Sequence, residues 1–467
     1  MDESTLTPDQ ARALEAVKSG RNVFITGAGG VGKSYLFDFV EDWAITSGKN
    51  LVTCAPTGIA AVKIGGCTMH RALGISPTDT IEHMSNPKLG TSSPLRNCDI
   101  LVIDEISMCR IDLFDYMTFC MYEVNNDRAR RGEAPCQLVV MGDFCQLPPV
   151  MYGDDAIALA TIYGEALNYG YCYGGESWNW WNFEVVELTT IMRQADKEFI
   201  DALNRCRVGD VTGLHWISEH SATEPDPGAI KMFSRNDEVD AENARCLASL
   251  DAELHTYEAR VDGNIAKADM VVPTKLELKV GARVMLVINR GEKVNGSMGV
   301  VLECAPHVVT VCFDDGYVME VKRHTWEKKA PKVERGRIVM EVVGEYTQIP
   351  LKLAYAVTIH KSQGQTFDHV VLDPSCWERG QLYTALSRLS SVEGLYLAYP
   401  MFDQYLIAPP FAMPGREDSV DSFYYTVGKL AVQGHEMVEA GESGEMDVLI
   451  QLYAVVSERI KSELGRL

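Results

Sequence analysis

The first third of the chain alternates short apolar runs with longer segments of helical period. Four of the apolar runs are predicted as strands, and each stops at a glycine, a proline or a carboxylate. The predicted strands are Asn22–Thr26, Leu51–Ala55, Ile100–Ile103 and Gln137–Met141. Strands that alternate with helices indicate βαβ units and a parallel sheet, whose functional residues collect at the carboxyl ends of the strands.

The hydrophobic pattern changes twice further along the chain. A second α/β region is predicted from about Phe183, and short alternating runs separated by Gly, Asn and Asp from about Leu276 predict a small antiparallel β unit. The α/β pattern returns at Ala354–Leu372 and continues to about Leu397. The predicted division is therefore a first α/β domain at 1–182 with an insertion at 74–97, a second at 183–275 and 346–400, an inserted β unit at 276–345, and an acidic helical extension at 401–467.

Composition favours a globular protein of several domains. The chain has 467 residues, 46% of them hydrophobic and 23% charged. It has no apolar run of the ~20 residues that a membrane span needs, and its first residues lack the features of a signal peptide, so we expect an intracellular protein without membrane attachment. The thirteen cysteines are dispersed without a C-x₂-C pair, which argues against zinc-ribbon and iron–sulfur sites and predicts core residues in a reducing compartment.

The charge of the chain is uneven. A net charge of −22 taken alone argues weakly against a nucleic-acid partner. Residues 322–337, however, carry seven basic and two acidic side chains, so a local basic surface is expected there.

A glycine-rich loop follows the first predicted strand. The segment NVFITGAGGVGKS has the form G-x-x-x-x-G-K-S, in which backbone N–H groups wrap phosphates. The glycines are Gly27, Gly29, Gly30 and Gly32. Lys33 supplies positive charge to the β and γ phosphates, and the Ser34 hydroxyl is a ligand for Mg²⁺. The loop predicts a nucleoside triphosphatase that uses Mg²⁺.

A pair of carboxylates follows a later strand. Asp104 ends the run ILVID, where it can approach Mg²⁺ through water, and Glu105 can orient or deprotonate the attacking water. A DE pair by itself is usually solvated, but one that follows a strand and a phosphate loop favours catalysis. The guanine-reading N-K-x-D sequence is absent, which favours ATP over GTP.

Further segments in one order carry a family resemblance. They are GAGGVGKS, CAPTGIAA, GGCTMHRALGI, LVIDEISM, LVVMGDFCQLPPV, LTTIMRQ, VTIHKSQGQTF and GQLYTALSRL. Over about residues 5–400 this series resembles superfamily 1B DNA helicases of the Pif type (petite integration frequency), with a more distant likeness to RecD and Dda helicases. The resemblance implies an α/β fold of two RecA-like P-loop NTPase domains with small insertions: a strand-separating wedge at 74–97 and an SH3-like unit at 276–345.

The resemblance also implies an activity and its partners. We expect an ATP- and Mg²⁺-dependent helicase that moves 5′→3′ on single-stranded DNA, acts at single-strand/duplex junctions, and works as a monomer in replication, repair, recombination or telomere maintenance. Its place would be the cytoplasm or nucleoid in a bacterium or phage host and the nucleus in a eukaryote. The protein partners are not predicted.

Individual roles follow from the resemblance. Gln10 matches an adenine-reading glutamine, and Gln146 lies near the γ-phosphate. Arg193 and Arg388 match arginine fingers that reach the γ-phosphate from the second domain. The implied DNA contacts are Pro56, Thr57, Gly58, Thr68, His70, His360, Lys361, Gln363, Lys328, Lys329 and Lys332.

Two other functions remain open at this point. An RNA helicase or RNA–protein remodeller would use the same motor, and no residue decides between them. A non-motor ATP switch would recruit partners through the acidic surface, but the paired arginines and the intact DE pair argue against it.

Overall fold

The structure is a computed structural model in two units: residues 1–191 belong to the first, and residues 192–330 and 341–408 belong to the second. It describes residues 1–75, 89–90, 93–151, 153–164, 169–263, 265, 270–288, 290, 293, 297–334 and 337–408. Within these ranges the side chains of 59, 62–63, 153–155, 157, 328–334, 337–341 and 343 are outside the description.

The first unit is built on a six-stranded parallel sheet. Its strands are β1 (Val23–Thr26), β2 (Leu51–Ala55), β3 (Cys67–Thr68), β4 (Ile100–Ile103), β5 (Gln137–Gly142) and β6 (Glu184–Glu187). Their order across the sheet is β3-β2-β4-β5-β1-β6. The four strands predicted from the apolar runs are confirmed. Because both faces of a parallel sheet are covered, its central strands are apolar throughout.

Helices cover the sheet and give it two cores. They are α1 (Pro8–Lys18), α2 (Lys33–Thr46), α3 (Gly58–Lys63), α4 (Met69–Leu73), α5 (Ile111–Arg130), α6 (Gly153–Tyr163) and α7 (Glu176–Trp180). Phe24 joins one cluster of buried side chains and Ile25 joins the other, since successive residues of a strand point to opposite faces. Trp178 is fully buried against Phe24, with ring centroids 5.5 Å apart.

The predicted end of the first domain is wrong. The sequence prediction placed a boundary at 182/183, but the strand β6 pairs with β1 in parallel, Val23 opposite Glu184. The first sheet therefore extends past that boundary. The pairing joins residues far apart in the chain, which local pattern does not reveal.

The second unit contains a smaller parallel sheet and an antiparallel β unit. The strands of the parallel sheet are β7 (Ile230–Phe233), β18 (Ala356–Thr358), β19 (Val370–Leu372) and β20 (Leu395–Leu397). Their order across the sheet is β18-β7-β19-β20. Its helices are α8 (Lys197–Arg207), α9 (Val211–His220), α10 (Asn236–Ser249) and α11 (Gln381–Leu386). The predicted return of the α/β pattern after residue 354 is confirmed.

The antiparallel unit is larger than the predicted range 276–345. Its strands are β8 (His255–Glu258), β9 (Arg260–Gly263), β10 (Lys275–Leu278), β11 (Arg283–Leu286), β12 (Met298–Ala305), β13 (Val308–Phe313), β14 (Val318–Lys322), β15 (His324–Glu334), β16 (Arg337–Gln348) and β17 (Leu351–Leu353). A five-stranded sheet has the order β14-β13-β12-β11-β17, β10 pairs with β8, and β16 lies between β15 and β9. The strands β8, β9 and β17 lie outside the predicted range because their partners are distant in sequence. The SH3-like character stays a prediction.

Most of two predicted segments is outside the described residues. Of the wedge at 74–97 the structure describes 74–75, 89–90 and 93–97, which include the short 3₁₀ helix Pro94–Asn97. Of the extension at 401–467 it describes 401–408. Among the helices that are described, none is long and apolar enough to cross a membrane.

Candidate functional site

The phosphate loop joins β1 to α2. Gly32 occupies the position before the helix with φ of +80°, a left-handed conformation that favours glycine. Having no side chain, it cannot cap the backbone N–H groups of the first turn. The first turn of a helix presents backbone N–H groups and the positive end of its dipole, which suits an anion. The loop therefore fits a nucleotide phosphate.

Lys33 begins α2 and lies over the loop. Its Nζ donates to the carbonyl oxygens of Gly27 at 2.7 Å and Ala28 at 3.1 Å. The predicted glycines Gly27, Gly29, Gly30 and Gly32 thus lie between β1 and α2, and Lys33 and Ser34 are the first two residues of α2. A phosphate bound in this loop would offer the ammonium group a charged acceptor in place of neutral carbonyls.

Gln10 is buried beneath the loop. Its Oε1 accepts from the backbone N–H of Thr7 at 3.0 Å, which closes a capping box at the start of α1, and its Nε2 donates to the carbonyl of Val31 at 3.1 Å. A Cβ on Gly32 would lie 2.6 Å from this Nε2. Gln10 therefore holds the loop against α1, in addition to the adenine contact that the resemblance implies.

Asp9 was missed by the sequence prediction. Its carboxylate accepts from the backbone N–H groups of Thr189 at 2.6 Å and Thr190 at 3.2 Å, which ties α1 to the segment after β6. Although partial burial raises the pKa of Asp9, hydrogen bonds from Thr7 and from the Thr189 and Thr190 amides outweigh it and lower the pKa to about 2. The signal was available in the sequence PDQ, where an acidic residue stands in the first turn of a helix.

Asp104 and Glu105 follow β4 at the same edge of the sheet as the loop. Since β5 lies between β1 and β4 and the strands are parallel, the ends of β1 and β4 are about 10 Å apart. Asp104 is 5% exposed, and its Oδ1 accepts from the N–H of Glu105 at 2.8 Å. Glu105 has φ of +51°, a left-handed conformation that is uncommon for a residue with a side chain.

The intervening strand β5 ends at Gly142, and Asp143 and Gln146 follow it. A Cβ on Gly142 would lie 2.9 Å from the backbone nitrogen of Ile106, so only glycine lets this strand end approach the turn that carries Glu105. Asp143 accepts from the N–H of Cys145 at 3.1 Å, and Gln146 is 5% exposed. These residues stand between the phosphate loop and the carboxylates in sheet order.

Ser34 and Asp104 suit Mg²⁺ by chemistry. Mg²⁺ prefers oxygen ligands and binds through one or two protein oxygens, phosphates and waters. A hydroxyl at the start of α2 and a buried carboxylate at the end of β4 fit that pattern. In the described part of the chain, no group of three or more His, Cys, Asp or Glu side chains could hold a metal by itself.

The predicted DNA contacts of the first unit lie at or just after the ends of β2 and β3, at the same sheet edge. Thr57 and Thr68 accept from the backbone N–H groups of Ala60 and Arg71, each at 3.3 Å, and so begin the helices α3 and α4. Pro56 and Gly58 flank Thr57. Burial, and to a smaller extent Arg110, lowers the pKa of His70 against an opposing effect of Asp112, so its imidazole is neutral near pH 7.

The two predicted arginine fingers lie together in the second unit. Arg193 donates from Nη1 to the carbonyl of Ser387 at 2.7 Å, and Arg388, only 3% exposed, donates from Nε to the carbonyl of Thr384 at 3.1 Å. Burial, reinforced by the like charge of Arg388, lowers the pKa of Arg193 to about 9. Two guanidinium groups at the end of α11 favour an anionic ligand. Gln194, which the sequence prediction passed over, supports them by donating to the carbonyl of Leu389 at 2.7 Å.

His360, Lys361 and Gln363 follow β18. His360 and Lys361 lie in a 3₁₀ turn with Lys361 exposed, and the Nε2 of His360 is 3.2 Å from a carboxylate oxygen of Glu378. The Nε2 of Gln363 is buried and makes no hydrogen bond to any described residue. This segment combines an exposed cation with an amide donor that a ligand could use.

The basic segment is described only in part. Lys328, Lys329 and Lys332 lie in the strand β15, and their side chains are outside the described residues. Arg323, at the start of the segment, donates to the carbonyl of Glu258 at 2.8 Å and so serves the β unit internally.

The first unit, with its phosphate loop, its Asp104–Glu105 pair and the parallel sheet that aligns them, defines a P-loop nucleoside triphosphatase. Profiles for the PIF1-like helicase and for the UvrD-like helicase C-terminal domain match residues 5–214 and 353–390. A relative in Bdellovibrio bacteriovorus, "ATP-dependent DNA helicase Pif1", is 35% identical over 85% of this chain and 88% of its own length. The chain belongs to the PIF1-like helicase family. Vertebrate relatives are longer, and the chain spans about 60% of their length.

Solved structures agree with this placement. Pif1 of Bacteroides sp in complex with ADP-AlF4 has a TM-score of 0.75 at 31% identity, covering 87% of this chain and 94% of that one. Bacteroides Pif1 bound to single-stranded DNA has a TM-score of 0.61 at 31% identity, covering 90% of this chain and 98% of that one. The predicted fold class, two RecA-like α/β domains, is confirmed at this level.

Proposed function

We infer that this protein is an ATP-dependent DNA helicase that translocates on single-stranded DNA. The observation that carries the inference is the alignment of the phosphate loop, the Asp104–Glu105 turn and the β5 end along one edge of a parallel sheet. The family membership supports the same conclusion, since its named members are ATP-dependent DNA helicases.

For hydrolysis we propose a division of labour within the first unit. The loop amides and Lys33 bind the phosphates, while Ser34 and Asp104 hold Mg²⁺, which neutralises phosphate charge when bound. Glu105 orients and deprotonates the attacking water, and Gln146 lies near the γ-phosphate. Gln10, in the first turn of α1, reads adenine beside the loop that it supports.

Arg193 and Arg388 are proposed to stabilise the charge that develops on the γ-phosphate. Their closeness, through which the charge of Arg388 acts on Arg193, supports this role, since a pair of like charges gains most when an anion binds. Even with its pKa lowered to about 9, Arg193 keeps its positive charge near pH 7, as this role requires.

For the DNA we propose two groups of contacts and a basic strand. The first group is Pro56, Thr57, Gly58, Thr68 and His70, and the second is His360, Lys361 and Gln363. Lys328, Lys329 and Lys332 would add phosphate contacts from β15. Phosphate contacts and base stacking give weak sequence preference, as a translocating motor requires.

From the family resemblance we also propose the direction of movement, the DNA structure acted on and the oligomeric state. The protein would move 5′→3′, act at single-strand/duplex junctions and work as a monomer. The same holds for a role in replication, repair, recombination or telomere maintenance, in the nucleoid or cytoplasm of a bacterium or phage host or in the nucleus of a eukaryote.

The experiment is a comparison of ATPase rates with single-stranded DNA, single-stranded RNA and no nucleic acid. We expect strong stimulation by DNA and strand displacement from duplexes with a 5′ tail and not from those with a 3′ tail. Stimulation by RNA alone would replace the DNA assignment with an RNA motor. A rate that ignores both nucleic acids would favour an ATP switch.

A further inference from the structure

Trp377 is an unusual tryptophan in this chain. Of the seven tryptophans, all of which the structure describes, Trp377 alone is exposed, at 59%. An exposed indole offers a large, rigid apolar face beside a polar N–H, the combination for which tryptophan is enriched at interfaces. The residue lies between β19 and α11, in the second unit.

The backbone around Trp377 is fixed. Gln381, which is fully buried at the start of α11, accepts through Oε1 from the N–H of Trp377 at 3.1 Å and from the N–H of Glu378 at 3.3 Å. An exposed ring on an anchored turn loses little conformational freedom when it binds, which favours a recognition role.

The same turn touches the proposed strand-binding segment. Glu378, the next residue, has a carboxylate oxygen 3.2 Å from the Nε2 of His360, and Lys361 follows with its side chain exposed. Trp377 is therefore the chain neighbour of a residue whose side chain contacts the imidazole proposed to face DNA. A cation for phosphates next to an aromatic ring for bases is the usual composition of a single-strand site.

We propose that Trp377 is a base-stacking residue of the single-strand site in the second unit. The proposal rests on the proposed function, because it assumes that the His360–Lys361 segment faces DNA. The indole face accepts any base, so the contact adds affinity without sequence preference. The ring carries no charge, and its removal therefore changes the affinity for bases without releasing fewer counterions.

The test is fluorescence anisotropy with two labelled strands of equal length. One is oligo-dT and the other is the same backbone with abasic positions, which keeps the phosphates and removes the bases. We expect Trp377→Ala to weaken oligo-dT binding about 5- to 150-fold, the range of one lost stacking contact, and to leave abasic-strand binding unchanged. Trp377→Phe keeps a ring and should retain most of the affinity for oligo-dT.

A matched control is Tyr399→Ala. Tyr399 is 62% exposed in the same unit, but it follows β20, at the opposite edge of the sheet from β18, so its loss should leave binding of both strands unchanged. The salt dependence of binding should be the same for wild type and Trp377→Ala.

Two results would overturn the proposal. They are wild-type affinity of Trp377→Ala for oligo-dT, and an equal loss of affinity for both strands. Lys361→Gln separates this failure from that of the proposed function: weaker binding in Lys361→Gln beside normal binding in Trp377→Ala leaves the DNA site standing and removes the stacking role. If wild-type protein binds neither strand, both proposals fall.

Discussion

Glu105 shows how the site is made at the scale of a residue. Its left-handed backbone costs on the order of 1–3 kcal/mol and persists because the surroundings impose it. Asp104 accepts from its N–H, and Gly142 leaves room for the turn against β5. The direction of the carboxylate is therefore set by the neighbouring strands and not by the preference of the residue.

Glu105→Gln should bind ATP normally and lose about 10²- to 10⁴-fold in turnover, because an amide keeps the size of the side chain and cannot accept the proton of water. The measurement is DNA-stimulated ATPase together with binding of a fluorescent ATP analogue. Glu15→Gln, on the exposed side of α1, is the matched control and should keep the wild-type rate. Normal turnover in Glu105→Gln would remove this residue from the chemistry.

Lys33→Ala, unlike Glu105→Gln, should impair nucleotide binding as well as turnover. It removes the ammonium group that lies over the loop, so nucleotide affinity and turnover should fall together, by tenfold or more in affinity for a lost charge-assisted contact of about 1.5–3 kcal/mol. The same two assays separate this variant from Glu105→Gln. An unchanged affinity for the ATP analogue would contradict the proposed role.

The phosphate loop and the DE pair could be proposed from the sequence because each motif is continuous in the chain. That Gln10 caps α1 and holds Val31 could not be predicted, because that contact joins two motifs that are separate in sequence. Side-chain partners of this kind depend on how α1 packs, which residue patterns alone do not specify.

At the scale of elements, α5 carries an unusual carboxyl group. Asp115 is buried and accepts from the hydroxyls of Ser177 and Tyr163, the latter at 2.8 Å, and so joins α5 to α7 and α6. Burial is the main cause that raises the pKa of Asp115 to about 7, against the lowering effect of the two hydroxyls. The folded protein therefore holds a proton that the unfolded chain releases near pH 4.

The stability of the first unit depends on pH through Asp115. Between about pH 4 and 7 the folded state binds more protons than the unfolded state, so stability falls as the pH rises through this range. Because of Asp115, we expect the free energy of unfolding of the first unit to fall by roughly 2–3 kcal/mol as the pH rises from 5 to 8. Asp115→Asn, which cannot ionise, should flatten this dependence in denaturant titrations followed by tryptophan fluorescence, to which the buried Trp178 of the first unit contributes.

The control for this prediction is Glu123→Gln, an exposed carboxylate on the same helix, which should leave the pH dependence as in wild type. Equal pH dependence in wild type and Asp115→Asn would show that the carboxyl group titrates in the folded protein as it does in water.

Some strands could be predicted from the sequence, whereas the sheet to which others belong could not. The strands β1, β2, β4 and β5 were recognised because each is an apolar run that ends at a turn or a carboxylate. The strand β6 was assigned to the wrong domain, since EVVE resembles any short strand and its partner β1 lies far upstream. Likewise, Leu351–Leu353 completes the five-stranded sheet through pairing with β11, which the short segment does not reveal.

At the scale of the molecule, the proposed chemistry needs both units. The phosphate loop and Glu105 belong to the first, while Arg193 and Arg388 belong to the second. Sequence resemblance indicated this division because both arginines stand in recognisable motifs. It did not indicate that the guanidinium groups lie close enough for one to lower the pKa of the other, which depends on the packing of α11.

The proposed role of Arg193 and Arg388 can be tested by substitution. If the arginines stabilise charge on the γ-phosphate, Arg193→Ala and Arg388→Ala should each lower the DNA-stimulated ATPase rate by about 10³-fold or more, the usual contribution of an arginine finger. Affinity for the ATP analogue and for single-stranded DNA should change little, because the loop and the strand contacts are intact. Lysine at either position keeps one charge but not the planar fork, and should restore only part of the rate.

The control is Arg245→Ala. Arg245 is an exposed arginine of the same unit, paired with Glu242 at 2.7 Å, and its loss should leave the stimulated rate unchanged. Because Arg388 is buried and binds Thr384, thermal unfolding of each variant must accompany the kinetics. A wild-type stimulated rate in a stably folded Arg193→Ala or Arg388→Ala would make that arginine a structural charge, and hydrolysis would then rest on the first unit alone.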